Sequence, residues 1–262
     1  MVETLSLQLI LAQQLNHVLQ AMATPSVVNY QLRWGRNPKV IRYVCDFSPD
    51  LALSDRQWLA RMALVGWEQH WGGPQVSWLQ VLGGHCLRQI LPSGQILLTP
   101  SPLALGAWLW QLAITDQDFQ ACPQTDLPVR LAPLDPTLAQ RLQLSPKAVV
   151  QYTYGRCRQL LAGLELNLEP KVGGDQLSPV GLSHHLLPIN NGESVLRCLV
   201  QMVDCLTLCP RSQGDQPEPY GFAAAYSLSV AVDEWLGERE MLTATPSTMV
   251  LLKGIDRVLG AV

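Results

Sequence analysis

The sequence predicts an α+β fold. It divides into a small N-terminal α/β domain with antiparallel strands, residues 1–114, a linker, residues 115–136, and an all-helical C-terminal domain, residues 137–262. Three observations carry this. The first 114 residues mix helical spacing with short strand-like runs separated by Gly and Pro turns. Residues 115–136 hold four prolines and four aspartates with no period, which reads as a joint. Beyond it, every clear period is helical. Segregated strand and helix regions of this kind define the α+β class.

Residues 4–22 predict an amphipathic helix, with Leu11, Leu15, Val18, Leu19 and Met22 at helical spacing. Strands follow at 28–34 and 40–47, broken by the turn Gly35-Arg36-Asn37-Pro38. Ser54 is placed to cap a helix that runs to Trp71 and carries Trp58, Met62 and Val65 on one face. Strands are expected at 77–82, 85–91 and 95–99, the last two joined as a hairpin by Pro92-Ser93-Gly94. Ser101-Pro102 opens a helix to Ile114, since proline suits a first helical position where its missing N–H is not needed. In the second half, helices are expected from Pro146 to Leu164, over 194–209, over 220–241 and from Pro246 to Leu259. Residues 165–193, rich in Gly, Pro and Asn, read as an irregular insertion.

The composition narrows the class of protein. Of 262 residues, 48% are apolar and 15% charged, so a folded chain with a core of normal size is expected rather than disorder. The net charge of −3 excludes a generally basic nucleic-acid coat, though not a local patch. Neither half is basic: residues 1–136 carry eight cations and nine anions, residues 137–262 ten and twelve. No uninterrupted apolar window of ~18 residues exists, so no transmembrane helix or membrane partner is expected. The N-terminus, with Glu3 where a signal peptide carries basic residues, has no secretory pattern. The seven cysteines are therefore read as reduced, and the expected compartment is cytoplasmic.

Cys198, Cys205 and Cys209 share a helical face, but structural zinc favours short paired spacings, so core thiols are the better reading. His184-His185 reads as a solvated loop pair. No phosphate-cradling, nucleophile-elbow or zinc-protease motif appears. Hence no metal, no cofactor and no catalytic residue is expected. The eight tryptophans stand against three phenylalanines, with Trp58, Trp67, Trp71, Trp78, Trp108 and Trp110 in the front half. Core packing is the plain use of indole area; a stacking platform or a protein-binding surface is the sharper one.

The helix P-K-A-V-V-Q-Y-T-Y-G-R-C-R-Q-L-L-A at 146–162 carries a family likeness at Val149–Arg156. It resembles the opening helix of the DALR anticodon-binding domain of class I aminoacyl-tRNA synthetases, most closely the arginyl branch. Val150, Gln151, Tyr152 and Arg156 match, while Thr153, Tyr154 and Gly155 replace a small-His-small core. Later helices follow the family's order: Ser194–Arg197, then Ala223–Leu236 with Tyr226, Leu228, Ala231 and Trp235 in register, then Met249–Leu259. Gly94–Leu109 resembles the end of the arginyl enzyme's N-terminal additional domain. The family's H-I-G-H and K-M-S-K-S signatures, which grip ATP, are absent, and residues 115–136 stand where a catalytic domain would lie. The resemblance therefore implies a non-catalytic relative of arginyl-tRNA synthetase that binds tRNA or another structured RNA. One departure matters for reading bases: Asp233, an acceptor only, replaces an Asn that offers donor and acceptor.

Candidate RNA contacts follow. Arg33, Arg36, Lys39 and Arg42 form the densest basic stretch, beside Tyr30 and Trp34; the resemblance puts this domain against the outer corner of tRNA. On the family-like helix, Lys147 and Arg158 fall on roughly one face, with Tyr152 and Arg156 from the matched motif and Arg156 pointing elsewhere. Trp235 comes from the later helix, and Lys253, four residues before Arg257, from the last one. The alternative is a repurposed protein–protein interaction or regulatory module without RNA binding, for which an exposed apolar patch containing tryptophan would speak. An enzyme whose site has no sequence motif ranks last.

Overall fold

The computed structural model describes residues 5–21, 29–35, 37, 40–71, 77–115, 144–167, 192–208, 219–237 and 246–261. The chain divides into two compact units, Met1–Trp108 and Leu109–Val262. All of the expected linker at 115–136 but Thr115, and nearly all of the expected insertion at 165–193, lie outside the described residues.

The first unit is α+β. Helix α1 spans Leu7–Ala21 and buries Leu7, Ile10, Leu11, Leu15, Val18 and Leu19, most of the stripe the sequence marks. Strands β1 (Tyr30–Trp34) and β2 (Tyr43–Phe47) pair antiparallel, and the Gly35 N–H donates to the Arg42 carbonyl just past the β1 end. Helix α2 covers Leu53–Trp71. Ser54 does not cap it: the helix begins one residue earlier, the Ala52 carbonyl accepts from Asp55 and Arg56, and the Ser54 hydroxyl donates to Asp55. Trp58, Met62 and Val65 do share a face, but it is the outer one. Leu59, Ala60, Ala63 and Trp67 are buried instead, and the Trp67 indole donates to the Gly83 carbonyl at 2.9 Å.

The strand expected at 77–82 is a helix, α3, Trp78–Gly84. The reason is local: Ser77 accepts from the Gln80 N–H while the Gln80 side chain accepts from the Ser77 N–H. This reciprocal capping box satisfies two donors that an entering helix leaves open. Strands β3 (Cys86–Ile90) and β4 (Ile96–Pro100) form the expected hairpin, with Gly94 at φ 79, in the left-handed region glycine tolerates. The sheet order is β1-β2-β4-β3, all antiparallel. One face buries Leu32, Tyr43, Cys45, Phe47, Cys86, Ile96 and Leu98; the other leaves Gln31, Leu87 and Gln89 exposed. Helix α4 runs from Pro102 to Ile114, and the Trp108 indole donates to the Leu5 carbonyl at 2.8 Å. The boundary between the units falls inside α4, after Trp108. The last turns of α4 belong to the helical unit, where the Leu112 carbonyl accepts from Arg257.

Every secondary-structure element described in the second unit is a helix. It comprises α5 (Pro146–Asn167), α6 (Gly192–Leu208), α7 (Pro219–Gly237) and α8 (Pro246–Leu259). The Ser145 hydroxyl accepts from the Ala148 N–H, the cap that the Ser-Pro start implies. The core is built from Val150, Cys157 and Leu161 of α5, Val195, Leu199 and Val203 of α6, Leu228 and Val232 of α7, and Leu251, Ile255 and Val258 of α8. No helix among the described residues is long and apolar enough to cross a membrane.

Candidate nucleic-acid interface

The front candidates are divided by the alternation of the strand. Successive residues of β1 point to opposite faces. Tyr30 and Trp34 therefore share the helix-covered face with Leu32, opposite Phe47 and Tyr43, while Arg33 stands on the open face opposite Val44. The Tyr30 hydroxyl donates to the Ala12 carbonyl at 2.7 Å, and burial pushes its pKa up, with Cys45 adding to the shift. The Trp34 ring rests 4.9 Å from that of Tyr43. Arg33 donates through Nε to Asp46 at 2.5 Å, and Gln95 donates to the other oxygen of the same carboxylate. The Arg42 side chain is half-buried and lies across Gly35. Arg36 and Lys39 lie outside the described residues. The sequence cluster thus does not become a surface cluster: two rings turn in and one arginine turns out, already paired.

The helical unit sorts its candidates by rotation about α5. Tyr152 is 3% exposed and Trp235 2%, so neither ring presents a face for stacking. Arg156 reaches α7, donating to Asp233 at 2.7 Å and to the Leu236 carbonyl at 3.4 Å. Asp233 therefore holds an arginine of its own bundle. Lys147 and Arg158 remain outward. At about 100° per residue, Lys147, Gln151, Tyr154 and Arg158 fall within about 60° of one another. The Arg158 guanidinium lies 5.8 Å from the centre of the Tyr154 ring, and its Nε is 3.8 Å from Asp256 of α8. Lys253 sits half-buried on α8, one turn before Asp256. Tyr154 and Gln151 are the residues the sequence reading passed over. The spacing i, i+4, i+7, i+11 from Lys147 was the available signal.

Of the described cysteines, Cys45, Cys86, Cys157 and Cys198 are buried. Cys86 and Cys157 have their thiol pKa pushed up to about 12, first by burial; the Asp256 charge adds to the shift at Cys157. Cys198 is buried and Cys205 half-buried, while Cys209, His184 and His185 lie outside the described residues. Among the described residues, no group of three or more His, Cys, Asp or Glu is placed to hold a metal. An open cleft of about 280 Å³ lies between the start of β1 and the end of β2, with Asp46 as its carboxylate. That carboxylate is already bound by Arg33 and Gln95. Compared with protein-family models, curated proteins and solved structures, the chain matches none.

Proposed function

We propose that this chain is a non-catalytic RNA-binding relative of arginyl-tRNA synthetase, and that it binds through the outer face of α5. The resemblance at Val149–Arg156 supplies the RNA class. The observation that carries the reading is the arrangement of Lys147, Tyr154 and Arg158 on that face, with the guanidinium over the ring. Two cations about 16 Å apart along a helix suit phosphates of one strand, and an aromatic ring between them suits an unpaired base. The Arg158–Asp256 contact is long, 3.8 Å, and the Arg158 side chain is 65% exposed, so its guanidinium stays within reach of a phosphate. Fluorescence anisotropy with total tRNA and with an arginine-accepting transcript, at two salt concentrations, tests this. Micromolar binding that weakens with salt is expected, with a loss of at least about tenfold in K147A/R158A and little change in R33A. Absence of binding at low salt, or an unaffected double variant, overturns the reading.

The second reading, a protein-interaction module, is favoured by a different observation. Trp58 and Val65, both 53% exposed, stand on one face of α2.

A further inference from the structure

The outer face of α2 is apolar in the middle and charged along one flank. Trp58 and Val65 are seven residues apart, so they stack within about 20° of each other along the helix. Met62 lies half-buried beside them. Arg61 and Glu68 are also seven residues apart and lie on a single flank, about 6 Å before Val65 and about 4.5 Å after it. Arg61 is exposed and makes no ion pair among the described residues. Glu68 has 72% of its side chain exposed and only a 3.5 Å contact to Arg88, which leaves one carboxylate edge open.

We propose that this face pairs antiparallel with the same face of a second copy of the chain, across a two-fold axis midway between Leu64 and Val65. The argument is charge complementarity. In an antiparallel helix pair related by a two-fold axis, each flank meets its own counterpart in reverse order. Residues equidistant from the axis therefore face each other. Arg61 meets Glu68 of the second copy, and Glu68 meets its Arg61. Val65 packs on Val65 beside the axis, and each Trp58 covers the last turn of the opposite α2. A single helix pair is a small interface, so the association is weak and concentration-dependent. It gives the second reading its partner and does not depend on RNA binding, which anisotropy measures separately.

The test is sedimentation velocity of the full chain, from low to several hundred micromolar, with melting curves to confirm that each variant folds. The wild type is expected to show a monomer–dimer equilibrium. R61E sets two like-charged pairs across the axis and is expected to weaken the dimer at least about tenfold, as is E68R. The double exchange R61E/E68R restores the opposite-charge pairing and is expected to recover it. R88A, which removes only the internal contact of Glu68, leaves the dimer intact. A wild type that stays monomeric throughout overturns the proposal. So does a dimer that persists in V65E, which would place the contact elsewhere, or a double exchange that fails to recover association while folding normally.

Discussion

Arg33 and Arg156 each donate to one aspartate, but a sheet and a helix deliver the two pairs in different ways. Asp46 reaches Arg33 diagonally across β1 and β2, on the open face, with side chains 27% and 39% exposed. Asp233 reaches Arg156 from a second helix, with side chains 17% and 21% exposed. The first pair lies within one layer and decorates it. The second joins α5 to α7, and Arg156 also binds the Leu236 carbonyl. Two residues further along α5, a turn of about 200° sets Arg158 outward. A helix can thus commit one arginine to the bundle and keep the next for the surface. A strand offers only two sides, and the cluster at Tyr30–Trp34 is split between them.

The broadest way to sharpen this comparison is alkaline pH, because each unit buries a thiol of its own. Cys86 in the sheet unit and Cys157 in the helical unit are both raised from 9.0 to about 12. The folded state holds these protons more tightly than the unfolded chain. The stabilisation is therefore complete below about pH 9 and is lost as pH rises toward about 12, by up to ~1.4 kcal/mol per pH unit per thiol. Urea midpoints are expected to fall over that window. C157A is expected to weaken the dependence of the helical unit and C86A that of the sheet unit in part, since burial also pushes the Cys45 thiol of that unit up. Identical curves for wild type and both variants would break the assignment.

Asp233→Ala comes next. It leaves the Arg156 charge half-buried between two helices without its anion, at a cost of about 2–3 kcal/mol. The melting temperature is expected to drop by roughly 5–10 °C. Asp233→Asn keeps an acceptor and is expected to recover about half of the loss. Asp46→Ala removes two hydrogen bonds from a more solvated site and is expected to cost about 1 kcal/mol. A larger loss for Asp46→Ala than for Asp233→Ala would reverse the comparison. The smallest effect belongs to Trp58→Ala on the outer face of α2, expected within about 0.5 kcal/mol, whereas Trp67→Ala on the inner face is expected to cost about 3–5 kcal/mol. Chemical denaturation of the two variants side by side decides between the faces.

The sequence by itself determined the α+β class, the two hairpins, the Ser101-Pro102 helix start and the four helices of the second half, because these rest on local rules. Proline at a helix start, glycine at a positive-φ turn and apolar spacing act within a few residues of themselves. The helix at Trp78–Gly84 was legible too, in the Ser77–Gln80 capping pair, but its apolar run of Trp78, Leu79, Val81 and Leu82 reads equally as a strand. Only the tertiary structure decided which face of α2 turns inward. Trp58, Met62 and Val65 form as good a stripe as Leu59, Ala63 and Trp67, and the choice falls to the hydrogen bond from Trp67 to Gly83 and to the packing around it. The candidate interface divides in the same way. The resemblance and the α5 spacing marked Lys147 and Arg158. The burial of Tyr152 and Trp235, and the capture of Arg156 by Asp233 77 residues away, depend on helices far apart in the chain. Periodicity says which residues share a face. Which face meets a neighbour is settled only when distant segments compete for the same buried surface.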